Sequence, residues 1–242
     1  MKRPFIVALD LDKKARKTLL SQFSGHSLYV KVGMELFYRE GIAVIDELKE
    51  AGHAIFLDLK LHDIPNTVAR TMQVLAEFEV DMINVHAAGG AKMIAAARDG
   101  LERGTPPGRK RPILLAVTQL TSTDQRTMET ELLIERPLEE VVRNYSALAK
   151  DNGADGVVCS AKEVPLIHET CGPSFYTVCP GIRRKGDDVG DQKRVVTPEE
   201  ARKFGCWAIV VGRSITQASD PYEVYTEMKR EWEGNGREKN HR

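Results

Sequence analysis

Short apolar runs alternate with amphipathic segments along the whole chain. The runs cover residues 5–9, 29–33, 54–59, 82–85, 113–117, 156–159, 176–179 and 208–212. Several are nearly continuous in valine, isoleucine and leucine, the composition of parallel strands covered on both faces. Between them apolar residues recur at helical spacing: Ile42, Ile45 and Leu48, then Leu138, Val141, Val142 and Tyr145, and finally Tyr225, Met228 and Trp232. Eight strand–helix repeats in 242 residues predict an α/β fold, a single (β/α)8 TIM barrel spanning residues 1–242. A doubly wound sheet of eight strands is the architectural alternative.

No linker divides the chain. The basic, turn-rich segment 104–111 precedes a strand and is expected on the amino-terminal rim, away from the chemistry. The polar stretch 234–242 is expected to form a flexible tail. The longest connection, residues 181–196, follows the seventh strand. It ends at Thr197-Pro198-Glu199-Glu200, a capping box with proline at the first helical position. A long structured loop at that face is expected to act as a lid.

Charge and composition narrow the partners. Thirty-five basic and thirty-five acidic side chains cancel, so no global field attracts nucleic acid or an anionic membrane. No apolar run approaches the roughly 20 residues needed to span a bilayer, and the opening Met1-Lys2-Arg3-Pro4-Phe5 lacks a signal-peptide core. A cytoplasmic protein with no nucleic-acid or membrane partner is expected. The four cysteines form no C-x-x-C pair, and Cys159 and Cys179 fall in strand-like runs where a reduced, buried thiol is the ordinary state.

The densest chemistry lies in residues 56–67, Phe-Leu-Asp-Leu-Lys-Leu-His-Asp-Ile-Pro-Asn-Thr. On a strand side chains alternate faces, so Asp58 and Lys60 point one way and Leu57, Leu59 and Leu61 the other. Pro65 cannot sit in a central strand and suits the first turn of a helix, whose face is marked by Val68, Met72 and Leu75. Asp58 and Lys60 therefore end a strand, and Asp63 lies in the following turn. In a barrel such strand ends converge on one mouth. They would bring together Asp10, Lys31, Asp58, Lys60, His86, Thr118, Thr121, Ser160, Arg183 and Arg213. Lys31, inside an apolar strand, needs a counter-charge. Asp58 supplies one, giving an alternating array of Lys31, Asp58, Lys60 and Asp63.

A salt-bridged strand end without chemistry would use the same residues. Asp58 and Asp63 could also ligate a divalent cation, but Lys31 and Lys60 would compete with it. Gly181 and Gly212, near Arg183, Gln192 and Arg213, occupy the loops after strands seven and eight where barrels commonly hold phosphate. There is no G-x-x-x-x-G-K-S/T and no G-x-G-x-x-G, which disfavours nucleoside triphosphates and dinucleotides. His62 and His86 are read as packing, capping or structural hydrogen-bonding groups, and Cys159 as core.

These residues resemble the orotidine 5′-phosphate decarboxylase family over essentially the whole chain. The resemblance is carried by Ala8-Leu9-Asp10, Val30-Lys31-Val32-Gly33, residues 58–67, Val117-Thr118-Gln119-Leu120-Thr121-Ser122, Pro180-Gly181-Ile182-Arg183 and Val211-Gly212-Arg213. The D-x-K-x-x-D core alone marks a wider superfamily; followed by Ile64-Pro65-Asn66-Thr67 it is specific. The resemblance implies conversion of orotidine 5′-phosphate to UMP and carbon dioxide with no cofactor and no metal. It implies that Asp58 lies beside the substrate carboxylate and that Lys60 protonates C6. Lys31 and Asp63 would hold these two in register, with Asp63 and Thr67 delivered by the other subunit of a homodimer. Asp10, Lys31 and Thr67 would contact the ribose, and Thr121 the pyrimidine edge. Gln192 and Arg213 would grip the phosphate with Arg183 nearby, and Ile64 and Gly212 would complete the substrate-binding set.

Such a decarboxylation leaves a carbanion on a ring carbon with no adjacent carbonyl or imine. With no cofactor signature in the chain, electrostatics and positioning must do the work. A metal-dependent sugar-phosphate lyase or decarboxylase of the wider superfamily and a non-catalytic binder of phosphorylated ligands are the alternatives.

Overall fold

A computed structural model describes residues 3–187 and 195–235. Eight parallel strands close into a barrel in sequence order: β1 (Phe5–Ala8), β2 (Tyr29–Gly33), β3 (Ala54–Leu61), β4 (Met82–His86), β5 (Ile113–Val117), β6 (Gly156–Val158), β7 (Tyr176–Ile182) and β8 (Ala208–Val211), with β8 pairing back onto β1. The helices are α1 (Lys13–Ser21), α2 (Met34–Glu40), α3 (Ile42–Glu50), α4 (Pro65–Ala76), α5 (Gly90–Gly104), α6 (Gln125–Thr130), α7 (Leu138–Asp151), α8 (Val164–Cys171), α9 (Pro198–Lys203), α10 (Arg213–Thr216) and α11 (Pro221–Glu233). This is the (β/α)8 barrel expected from the alternating pattern. No described helix is long and apolar enough to cross a membrane.

Strand alternation builds two apolar layers. Ile6, Ala8, Phe56, Met82, Leu115, Val117, Val158, Val178, Ala208 and Val210 fill the barrel interior. Their neighbours Val7, Val30, Val32, Leu57, Ile83, Leu114 and Ile209 face outward and meet the helices. Each buried branched side chain contributes about 1.5–3 kcal/mol, so the barrel is a stiff frame for whatever its rim carries. The helical faces read from sequence pack as expected: Ile45, Leu48, Val141, Val142, Met228 and Trp232 are buried. Leu138 and Tyr145 are half-buried against the core, and Ile42 is exposed on the first turn of α3.

Two strands depart from the simple pattern, and both carry candidate site residues. β3 runs beyond residue 59 to Leu61, and its pairing with β4 skips from Leu57↔Ile83 to Leu61↔Val85. Inside that bulge Lys60 adopts φ 52°, a left-handed conformation unusual for a residue with a side chain. β7 runs beyond residue 179 to Ile182 and shifts register between Cys179 and Ile182, with Pro180 inside the shift and Gly181 at φ 79°. Bulges redirect side chains and end regular pairing.

The 104–111 segment lies at the amino-terminal ends of the strands, as expected, and makes structural ion pairs there. Arg109 reaches Glu79 at 3.1 Å, and Arg111 grips Asp155. The expected 181–196 lid is described up to Asp187 and again from Val195, where Val196 bridges to Ile182 beside β7. Gln192 lies outside the described residues, as do residues 236–242 of the expected tail.

Candidate active site

Asp58 sits at the carboxyl end of β3, buried to 7 % exposure. Its Oδ1 accepts hydrogen bonds from Lys60 Nζ at 2.7 Å and from Asn84 Nδ2 at 2.7 Å. Its Oδ2 lies 3.4 Å from Lys31 Nζ, and Lys31 Nζ lies 3.3 Å from Asp10 Oδ1 at the end of β1. Burial pushes the Asp58 carboxyl up; the Lys31 and Lys60 charges and the bonds from Lys60 and Asn84 outweigh it and hold the group below its ordinary value. Asp58 is thus a carboxylate kept ionised where water is scarce.

Gly33 makes room for part of this arrangement. A methyl there would stand 3.1 Å from Lys31 Nζ and 3.2 Å from Asp10 Oδ1, tighter than ordinary contact. The lysine and its acidic partner occupy space that any side chain at this position would contest.

Within one chain the array read from sequence shows Lys31, Asp58 and Lys60, with Asp10 joining it beside Lys31. Among the described residues no ion pair joins Asp63 to Lys31 or Lys60. The bulge at Lys60 ends β3, and the next turn carries Asp63, Ile64 and Thr67 out to solvent. Asp63 Oδ1 accepts from the Ile64 N–H at 2.6 Å, and Ile64 is 66 % exposed. None of these three residues lines the hollows that border the Asp58 cluster.

Beside the cluster opens a cavity of about 220 Å³, walled by Lys31, Asp58 and Lys60 on one side and by Gln119, Leu120, Thr121 and Ser122 on the other. Phe56, Val117, Val158 and Val210 supply apolar surface from four strands. A second hollow of about 440 Å³ shares Lys31, Pro180 and Val210 with it and is lined by Asp10, Gly181, Arg183, Gly212 and Arg213. One end of the combined cleft is therefore apolar with a charged edge, and the other carries two guanidinium groups. Arg183 is buried, with Nη1 donating to the Ile182 carbonyl at 2.9 Å, and Arg213 opens α10. A Cβ on Gly212 would meet only Ala8 Cβ, at 3.6 Å. Packing does not demand glycine there, and Gly212 itself lines the cleft.

Other strand-end residues are spent on structure. Thr118 Oγ1 donates to the Val158 carbonyl at 3.3 Å. Ser160 is fully buried, its N–H donating to Glu163 Oε2 at 2.9 Å at the head of a short helical turn. Cys159 and Cys179 are buried with sulfurs 3.8 Å apart, the core role expected of them. His62 and His86 lie with ring centroids 5.8 Å apart; burial, then the His62 and Lys60 charges, lowers the His86 pKa, against an opposing pull from Asp58. Among the described residues no group of three or more histidine, cysteine, aspartate or glutamate side chains is placed to hold a metal ion.

Sequence reasoning missed the role of Asn84. It is fully buried in β4, and its Oδ1 accepts the Lys60 backbone N–H at 2.7 Å while its amide donates to Asp58. The available signal was an asparagine between Ile83 and Val85 in an otherwise apolar strand.

Comparison with known proteins agrees with this architecture. The orotidine 5′-phosphate decarboxylase / HUMPS family model matches residues 3–228. The orotidine 5′-phosphate decarboxylase of Shouchella clausii is 61% identical over 235 residues, covering 97% of this chain and 98% of that protein. The enzyme of that name from Halalkalibacterium halodurans is 59% identical over 234 residues, covering 97% and 100%. Among solved structures, orotidine 5′-phosphate decarboxylase from Lactobacillus acidophilus superposes with a TM-score of 0.85 at 47% identity, covering 96% of this chain and 99% of that one. A barrel with its charges gathered at the ends of β1, β2 and β3, matched along nearly its whole length, belongs to the orotidine 5′-phosphate decarboxylase / HUMPS family.

Proposed function

We propose that this chain decarboxylates orotidine 5′-phosphate to UMP and carbon dioxide in pyrimidine synthesis. The observation that carries the reading is the ionised Asp58, buried between two lysines at the wall of a cleft whose far end holds Arg183 and Arg213.

The phosphate lies between Arg183, Arg213 and the open backbone at Gly212, with Gln192 contributing from the loop after β7. The ribose lies against Asp10 and Lys31, and the pyrimidine against the apolar wall with Thr121 at its edge. This seats the substrate carboxylate beside Asp58, where like charges repel in a poorly solvated place. The C6–carboxyl bond breaks, the electron pair stays on C6, and the charge on the departing group is lost as neutral carbon dioxide leaves. Lys60 stabilises the developing carbanion and transfers an ammonium proton to C6; solvent later returns a proton to its amine. Binding of the phosphate, remote from C6, favours closure of the loop after β7 over the site.

The working unit in this reading is a cytoplasmic homodimer. The exposed turn of one subunit delivers Asp63, Ile64 and Thr67 to its partner's cleft, with Asp63 set beside Lys60. Their exposure, and the lack of an ion pair from Asp63 to Lys31 or Lys60 among the described residues, support that assignment.

The test is loss of orotidine 5′-phosphate absorbance with purified protein, with and without a chelator. Rapid, chelator-insensitive formation of UMP is expected. A folded sample without turnover overturns the reading, and turnover abolished by the chelator redirects it to metal-dependent sugar-phosphate chemistry.

A further inference from the structure

Asn84 does two things with one side chain. The ladder between β3 and β4 is interrupted between Leu57↔Ile83 and Leu61↔Val85, so the Lys60 N–H is left without a regular strand partner. Asn84 Oδ1 replaces that partner at 2.7 Å. A residue with a side chain persists at φ 52° only when its surroundings over-determine it, and this bond is one of the constraints. The other end of the amide donates to Asp58 Oδ1, also at 2.7 Å. The orientation is fixed by chemistry, because a carboxylate can only accept and a backbone N–H can only donate. Full burial leaves the amide no water to bond with in place of these groups.

From this geometry we infer that Asn84 is a positioning residue for the decarboxylation, setting the Asp58 carboxylate and the Lys60 backbone relative to each other through one neutral amide. The inference rests on the proposed activity. Neutrality matters to it. A third cation at this place would cancel the charge that Asp58 directs at the substrate, whereas an amide orients the carboxylate and leaves that charge in place. A single group also couples the two: a rotation of the amide moves the repelling carboxylate and the proton donor together.

The experiment compares wild type, Asn84→Asp and Asn84→Ala as purified, folded dimers, reading kcat, KM and the pH profile of kcat/KM. Asn84→Asp keeps shape and the acceptor for Lys60 N–H, but loses the donor to Asp58 and adds a like charge. A fall in kcat of about 10²-fold is expected for each variant, the size of effect that a displacement near 1 Å produces, with KM changing far less. The acid limb of kcat/KM should also move to higher pH, since Asp58 loses a bond that favours its ionised form while Lys31 and Lys60 still face it and Asp10 and His86 stand behind them. A structural role would scale the amplitude and leave that limb in place. Folded variants with kcat within about threefold of wild type, an unmoved acid limb, or two variants that both fail to fold would each assign Asn84 to packing and overturn the inference. Wild-type turnover is measured alongside: its absence overturns the parent reading and this one together, whereas an active wild type with indifferent variants sinks this one alone.

Discussion

The two ends of the barrel use the same side chains for different ends. At the amino-terminal rim Asp155 accepts two bonds from Arg111, at 2.8 and 2.9 Å, and one from the Leu114 N–H at 2.8 Å. Asp81 there accepts the Ile55 N–H at 2.8 Å. Each carboxylate is consumed in starting a strand or pinning a loop. At the opposite mouth Asp58 accepts no backbone bond among those described; it is held by Lys60, Lys31 and the Asn84 side chain, all beside a cavity. Charge that ties down backbone stabilises, while charge held by other side chains around a hollow is available to a ligand. Burial differs as well, with Asp58 buried, Asp155 half-buried and Asp81 exposed, but only Asp58 borders a hollow without a backbone donor among the described bonds.

Breaking the mouth should cost activity before stability. Lys60→Ala is expected to fold with a melting temperature close to wild type and to lose turnover by at least about 10²–10⁴-fold, the range for removing a positioned acid. Turnover near wild type in a folded sample would remove Lys60 as the proton donor. The turn after β3 sharpens the contrast, because among the described ion pairs Asp63 joins neither lysine of its own mouth. Asp63→Ala and Lys60→Ala should each be inactive alone. Mixed and allowed to exchange subunits, they should recover about a quarter of wild-type sites, since only the hybrid dimer holds one intact cleft. Persistent inactivity after verified exchange would place Asp63 in its own chain's site.

Smaller effects follow at the far end of the cleft and at the opposite rim. Arg213→Ala should raise KM by about 10–100-fold, as loss of a charge-assisted bond does; an unchanged KM would detach Arg213 from the phosphate. Asp155→Asn should lower stability by about 1–3 kcal/mol in denaturant titration and leave kcat as it was. A matching fall in kcat would mean that the two rims are coupled.

The smallest effect is a pH dependence of stability shared by both ends. Burial lowers the pKa of His53, His86 and His168. A histidine held neutral in the fold stabilises above its unfolded value of about 6.5, and that contribution is lost as pH falls through the folded values. Asp58, also held low, adds a loss further into acid. Melting temperature should therefore decline from about pH 7 downward, and a flat profile to about pH 5 would contradict the histidine contribution.

Much of this was legible from residue order. The eight strands fall where the apolar runs are, because parallel strands covered on both faces must be apolar throughout. Lys31 stood out as a charge inside such a run, and the structure supplies the partners it required. Asn84 carried the same kind of signal more weakly, since a neutral amide announces no particular partner. The ion pair of Asp10 with Lys31 was not legible either: the two are far apart in sequence, and only the pairing of β1 with β2 brings them together.

The sequence by itself determined the order of helices and strands and which residue types would crowd the strand ends, because periodicity and turn chemistry are local. Only the tertiary structure decided which of those residues meet. The left-handed Lys60, the break between β3 and β4, and the turn that carries Asp63 to the surface all depend on how one strand seats against the next. A bulge is a mismatch between two strands, and neither strand encodes it alone.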